Sequence, residues 1–550
     1  VEKRAIIAFL LMFLVLVAHM ILTSRGRREA PTPAAGADST QAAASPEEVI
    51  AERDTALAAS RVAIGLPVGS LPAKDVVITT PLYAARFKTL GGVIESFRLH
   101  EYLSTGGEPL ELIPEARRQP LGLVLHMVDG GLLDLSESTW KVSSDSLVVG
   151  KDSEAELTFE LETEGGLKIR KTCAFRSDTY VFDVEVRVAG SGSDQITGVE
   201  MGWDSGLAVT ETQRERDDLS SFAGLALTAD GIQKTNRGAV RNGKDVTIRG
   251  DVTWAGVKTK YFLAAMVPME DEEVVVHTFQ AAENAIGVTM ETERQGAGSR
   301  NWLVYAGPLD YQRLKGLGHG LDRAVDFGWS WMSPLSRLVF RFMLLVHHAI
   351  PNYGIVIILL STLTKFLFWP LTQKSFKSMR EMQKIQPAMA ELREKYKNDA
   401  QKLNKAMMEL YRERNVNPLG GCLPMLLQMP VFIALFNVLR TTIELRQAPF
   451  ALWIKDLSSP DVIAHMPFSL PFIGSTLSLL PILMGIAMYI QQKMQASDPK
   501  QAALNYMMPI LFTFLFFRFP SGLVLYWLVN NVLTIGHQYL MIRGDREQEA

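Results

Sequence analysis

Hydrophobic and polar positions follow two rhythms along the chain, and the change falls between residues 327 and 353. Before it, apolar side chains alternate with polar ones: Leu157, Phe159 and Leu161, a Gly165-Gly166 turn, Leu167, Ile169, Lys171 and Cys173, then Tyr180, Phe182, Val184, Val186 and Val188. Period-two alternation broken by Gly and Asp turns predicts many short, half-buried strands. An all-β antiparallel sandwich is therefore expected over residues 75–315. After the change come apolar runs of membrane-spanning length, expected as spans at residues 353–371, 417–440, 471–492, 502–518 and 519–542. An uncharged run over residues 5–23 lacks a convincing small-x-small cleavage site, so residues 1–24 are read as an uncleaved first span. The fold class expected is a polytopic α-helical membrane protein of six spans carrying an inserted β-sandwich domain.

The remaining segments connect these blocks. Residues 25–74 are rich in Ala, Pro, Ser, Thr and Gly and read as a flexible linker. Within residues 316–352, Arg337 and Arg341 share one helical face while Leu338, Phe342 and Leu345 share another, the pattern of a helix lying along a membrane interface; Pro351 ends it. Residues 372–416 read as a helical hairpin, with Met379, Met382, Ile385, Met389, Leu392 and Tyr396 on one arm, Asn398-Asp399 at the turn, and Leu403, Met407 and Leu410 on the other. Asn417-Pro418 opens the third span, and Pro424 and Pro430 are expected to interrupt it. Residues 441–470 form an outer loop, residues 493–501 an inner one, and the turn at Phe519-Pro520-Ser521-Gly522 leaves no room for a domain.

Charge orients this arrangement. Between residues 373 and 416 there are 11 Lys and Arg against 6 Asp and Glu, and basic excess marks the cytosolic side. Parity over six spans then places both termini in the cytosol, the β domain outside, and residues 543–550 as a short cytosolic tail.

Composition narrows the chemistry. The 550 residues are 47% hydrophobic with a net charge of −3, an average over two unlike halves. Cys173 and Cys422 fall in different regimes, so no disulfide is expected, and the usual metal or redox cysteine spacings are absent. His100, His126, His277 and His319 are scattered without the spacing of a hydrolase or metalloprotease motif, which argues against an enzyme and against a metal or other cofactor.

Lys365 is the one cation inside the run YGIVIILLSTLTKFLFWP of residues 353–370. It serves either as an anchor whose stem snorkels to the headgroups or as a cation facing a water-filled cavity within the membrane. Ser361 and Thr362 precede it by four and three residues and extend a polar stripe inward, which favours the cavity. A buried charge among proline-bearing spans also suits a solute transporter, but the internal repeat symmetry which that reading predicts is not found between the spans.

Three stretches carry a family likeness: NPLGGCLPMLLQMP at residues 417–430, ELRQAPFALWIKDLS at 444–458 and FPSGLVLYW at 519–527. They resemble the YidC-type membrane protein insertases. TPLYAARFKTLGGVIESFRL at residues 80–99 and WAGVKTKYFLAAMVP at 254–268 are similar to the periplasmic domain of the Gram-negative members. The resemblance implies an insertase and chaperone of the bacterial inner membrane that uses no nucleotide or cofactor. In that family five spans enclose a hydrophilic groove containing a positive residue, which here falls on Lys365 where many members carry arginine. The groove's polar face is implied to fall on Ser361, Thr362 and Gln428, the client's exit along Met429, Pro430, Phe432, Phe512 and Phe516, and a helix-turn motif on Asn417, Pro418, Gly420 and Gly421. The cytosolic hairpin with Met379, Met382, Met389 and Tyr396 becomes an arrival platform. Implied partners are nascent membrane proteins, the Sec translocon, the ribosome or signal recognition pathway and membrane lipids, with no DNA. Sugar-binding or enzymatic use of the sandwich is the remaining alternative.

Overall fold

The structure is a computed structural model that describes residues 72–549 except 117, 212–214, 242, 271, 295, 415, 417–422, 471–473 and 495–501. The expected first span, nearly all of the linker, Cys422, and Asn417, Pro418, Gly420 and Gly421 lie outside the described residues. Two compact units part between Ala324 and Val325.

The first unit is a β sandwich in which the alternation of the sequence is realised strand by strand. Leu167–Arg176 pairs antiparallel with Glu154–Glu162 on one side and Val181–Gly190 on the other, so that Cys173 lies opposite both Leu157 and Val184. These strands belong to a nine-stranded sheet; six-stranded and five-stranded sheets complete the unit. The pairings are antiparallel apart from that of Asp75–Thr79 with Ser146–Val148, a parallel exception to the expected architecture. Phe87 of the five-stranded sheet packs against Phe159 and Phe175 of the nine-stranded sheet at 5.7 and 5.9 Å between ring centroids, joining the two across the core.

One inward position is a lysine. Lys171 is fully buried, donates to the backbone carbonyls of Gly92 and, at 2.9 Å, Leu121, and lies 5.7 Å from the Trp140 ring centre and 5.6 Å from that of Phe159. Burial pushes its ammonium down to about 8. The turn that receives it requires glycine: Gly91 has φ +77°, and a Cβ there would lie 2.7 Å from the Ser136 carbonyl oxygen. This explains the Gly91-Gly92 pair within the stretch at residues 80–99.

The histidines are less scattered in space than in sequence. His126 Nε2 lies 3.0 Å from Glu200, its Nδ1 lies 3.0 Å from Glu291, and His277 approaches the same Glu291 at 3.8 Å. Burial alone would lower His126, but the two carboxylates outweigh it and hold the imidazole up to about 9. Among the described residues no group of three such side chains has metal-site geometry.

The second unit is helical: α1 Ser333–Ala349, α2 Tyr353–Leu367, α3 Trp369–Lys384, α4 Gln386–Lys395, α5 Ala400–Glu413, α6 Leu423–Thr441, α7 Leu480–Met494, α8 Ala502–Phe516 and α9 Ser521–Glu549. No single helix among the described residues is long and apolar enough by itself to cross a membrane, whereas α2 and α3 meet that measure together, bent by 63°. The bend sits at Phe368, with Pro370 in the first turn of α3, where its missing N–H costs no hydrogen bond. Lys365 consequently lies in the last turn of α2, nearer a helix end than the expected boundary at residue 371 implies.

Prolines account for two further departures. The first hairpin arm is two helices, α3 and α4, because Pro387 has no N–H to donate to the carbonyl four residues back and so sits in the first turn of a new helix. Pro424 does not interrupt α6 but sits in its first turn, while Pro430 lies inside. The hairpin seam is formed by Met382, Ile385, Met389, Leu392, Leu403, Met407 and Leu410 with Tyr411 and Val416. Met379 and Tyr396 are half-buried outside that cluster, and Lys395 lies over the Tyr396 ring. Finally, the helix within the expected fourth span starts only at Leu480. Val462–Leu470 and Gly474–Ser478 pair as a hairpin, and α7 starts at Leu480 because Asp461 accepts from the amides of Leu479 and Leu480 at 3.0 and 2.7 Å.

Candidate functional site: a polar stripe among apolar helices

The site starts from one helix face. On α2, Val356, Ile357, Leu360, Ser361 and Thr364 are buried while Ile355, Leu359 and Leu363 are exposed, the 3.6-residue pattern of a helix with one face packed and the other open. Lys365 is half-buried at the edge of the packed face. Its ammonium donates to Thr534 Oγ1 of α9 at 2.6 Å, and among the described residues no carboxylate pairs with it.

From Thr534 the polar contacts run along α9 and across to α6. Thr534 Oγ1 donates to the Asn530 carbonyl at 2.6 Å, Asn530 Oδ1 accepts from Gln428 Nε2 at 3.1 Å, and Gln428 also reaches the Tyr526 hydroxyl at 3.4 Å. The structure thus brings Lys365 and Gln428 into one network, but through α9 residues that the sequence reading did not single out. Ser361 and Thr362 do not join it. Their hydroxyls donate to the carbonyls of Ile357 and Ile358, each at 2.8 Å, so both are bonded back into their own helix.

The stripe continues past Thr534. His537 and Gln538 are buried, and among the described residues neither the ring nitrogens of His537 nor the amide atoms of Gln538 have a hydrogen-bond partner; the Asn531 amide nitrogen is in the same condition. His537 stacks on Trp369 at 3.8 Å and meets the edge of Phe376 at 5.4 Å. Buried polar atoms left unpaired cost about 1–3 kcal/mol each unless water or another group reaches them. Asn530, Asn531, Thr534, His537 and Gln538 follow the three- and four-residue spacing of one helix face, a signal present in LVNNVLTIGHQYL that the high apolar content of the run conceals.

The residues assigned to a client's exit path divide. Phe432, Phe512 and Phe516 surround Trp527 at 4.9, 5.8 and 5.3 Å, and Met429 and Pro430 are half-buried within α6. Phe516 is 3% exposed, so it supports this aromatic cluster from within instead of presenting a surface. Among the described side chains of α8, the exposed apolar ones are Met507, Ile510, Leu511 and Phe514. The site therefore combines a cation held by a neutral hydroxyl, a row of unpaired polar groups and open apolar faces beside them. That combination suits transient binding of a polar or anionic segment next to a hydrophobic one.

Comparison with known proteins accounts for nearly the whole chain. Residues 75–341 match the family model described as the YidC periplasmic domain, and residues 345–548 match that of the 60Kd inner membrane protein. The chain is 35% identical to the membrane protein insertase YidC of Syntrophus aciditrophicus, covering 98% of this chain and 99% of the relative. It is 36% identical to that of Geobacter sulfurreducens over the full length of both. Among solved structures, an active YidC insertase with its first transmembrane domain resolved aligns over 90% of this chain and 99% of its own, with 20% identity and a TM-score of 0.38.

Proposed function

Since the chain belongs to the YidC family of membrane protein insertases, inner-membrane proteins with a periplasmic domain, we propose that the stripe around Lys365 is the groove in which it receives a client's polar tail. The observation that carries this reading is the state of Lys365: a cation without a carboxylate among the described residues, held by Thr534 and followed by the unpaired groups of Asn531, His537 and Gln538. Water fills such a groove between clients, and the tail of a client displaces it.

Magnitudes set what one cation can do. An aspartate at the middle of a membrane helix costs about 2.5–3.5 kcal/mol on insertion scales. Two opposite charges about 4 Å apart attract by about 4 kcal/mol at an effective dielectric of about 20. Lys365 therefore offsets roughly one carboxylate; its place in the last turn of α2 sets the negative end of the helix dipole beside it, which stabilises the ammonium itself and not the client's acid. The client's hydrophobic segment then leaves along open apolar faces, with Phe432, Phe512 and Phe516 fixing the helices beside it. Burial of its apolar surface at about 25 cal/mol per Å² supplies the driving force. No bond is made or broken in the client, so the reading requires no catalytic residue or cofactor.

The same proposal includes six spans with both termini cytosolic, the second at residues 353–371 crossing as α2 and leading through the bend at Phe368 into the basic cytosolic hairpin of α3, α4 and α5. The hairpin meets the ribosome or targeting pathway, the Sec translocon is a cooperating partner, and α1 lies along the lipid interface. Replacing Lys365 in a host depleted of its own insertase tests the groove. Wild type and Lys365→Arg are expected to insert a single-span client with one acidic residue in its outer tail, while Lys365→Ala and Lys365→Glu fail at equal abundance. Equal insertion by all four makes Lys365 an anchor.

A further inference from the structure

The loop joining α6 to α7 takes no part in the stripe around Lys365, yet it is tied down along its length. Asp456 Oδ1 accepts from Gln447 N, Ser458 N and Ser458 Oγ at 3.0, 2.8 and 2.8 Å, folding the loop on itself. Trp453 Nε1 donates at 3.0 Å to the Asp461 oxygen that caps α7. The loop is then fastened to the starts of two helices. Asn352 Nδ2, ahead of α2, donates to the Phe450 carbonyl at 3.0 Å; at α9, Ser521 N donates to Ser459 O at 2.7 Å and Gly522 N to Leu457 O at 3.0 Å.

Two glycines allow this contact. Gly354 is buried beneath the Phe450 ring, which occupies the space a Cβ would need. A Cβ on Gly522 would lie 3.1 Å from the Leu457 carbonyl oxygen and 3.2 Å from Ile357 Cδ1. Ile357 and Leu457 are both wholly buried, so an apolar layer lies directly under the loop. Lys365 stands eight residues further along α2, about 12 Å at about 1.5 Å per residue. Loop and cation thus sit at opposite ends of α2.

We propose that residues 447–461 are a plug that seals the outer end of the hydrated groove, with Phe450 on Gly354 and Leu457 on Gly522 and Ile357 as its seating contacts. The inference rests on the groove reading. A groove that brings water to Lys365 leaves only a short apolar path to the other side, and an open one would pass ions and protons. The seated loop replaces that path with close packing: the Phe450 ring leaves no room for a side chain at position 354, and one at position 522 crowds the Leu457 carbonyl. Phe450, Leu457, Gly354 and Gly522 are positioning residues for insertion, acting through the loop and not on the client.

The test uses the full chain in sealed membrane vesicles, with Thr534→Cys as the reporter and a small charged methanethiosulfonate reagent added from one side; mass spectrometry scores Cys173 and Cys422 separately. With the native loop, the cysteine at position 534 reacts from the cytosolic side and not from the outer side. Phe450→Ala and Gly354→Leu each raise the outer rate about tenfold, equivalent to about 1.4 kcal/mol in an opening equilibrium. The double variant, whose leucine fills the space the ring leaves, returns it to background. Background outer reaction in both single variants at normal abundance overturns the plug, and so does an equal rise in both singles and the double. Failure to react from the cytosolic side overturns the groove and the plug together, which distinguishes that result from failure of the seal alone.

Discussion

Single residues decide both units through the partners they lack or hold. Lys365 is conspicuous in the sequence because it breaks an apolar run, and Gln428 because an amide in a span needs a partner. Thr534, Asn530 and His537 were not legible: each is an ordinary residue in a run that passes as a span, and only the packing of α9 against α2 gives them meaning. Ser361 and Thr362 show the converse, since helical spacing placed them beside Lys365 but a hydroxyl in a helix can satisfy itself on the carbonyl four residues back. In the β domain, His126 gives a prediction about pH. Its pKa is raised from 6.5 to about 9, so its stabilising contribution is complete below about 6.5 and is lost as pH rises through 9. Glu291 is held down to about 2 through His126 and His277, burial opposing them, so its contribution is complete above 4.5 and is lost as pH falls toward 2. Hydrogen exchange in Leu123–Met127 and Ala285–Glu293 of the full chain is expected to be slowest between about pH 4.5 and 6.5, after correction for intrinsic rates. His126→Gln should abolish the loss of protection between pH 6.5 and 9; an unchanged profile would mean that the ion pairs add nothing to the sheet.

At the scale of elements, alternation and helical spacing made the strands and the hairpin seam readable, and special residues moved their ends. Pro370 and Pro387 divide what periodicity alone joins, because periodicity records which face is buried and not where the backbone lacks a donor. The strands Val462–Leu470 and Gly474–Ser478 were missed since the second is short and merges with the apolar run of α7. Asp461 fixes that junction. Asp461→Ala removes the acceptor for the Leu479 and Leu480 amides and for Trp453, and should destabilise the start of α7 by about 0.5–2 kcal/mol, the usual range for a lost N-cap. Hydrogen exchange at those two amides measures it directly: about 2- to 30-fold faster exchange is expected, and an unchanged rate would show that the helix start is held by packing alone.

The chain as a whole comprises a β sandwich and a helical unit with exposed apolar faces among the described residues. The division was readable because the two rhythms need different surroundings: alternating strands bury one face against each other, while among the described residues α2 and α8 expose Ile355, Leu359, Leu363, Met507, Ile510 and Phe514, apolar surface that is costly to leave in water. The groove account makes the two surfaces cooperate, with the polar stripe holding the tail and the apolar faces taking the hydrophobic segment. The most direct measurement is disulfide capture of a stalled single-span client bearing one cysteine, either in its outer tail or in its apolar segment, by Thr534→Cys and, separately, by Leu363→Cys. The account predicts that the tail is captured at position 534 and the apolar segment at position 363, and that Lys365→Glu abolishes only the first. Capture of the tail at 363, or of neither region at 534 while insertion proceeds, would contradict it.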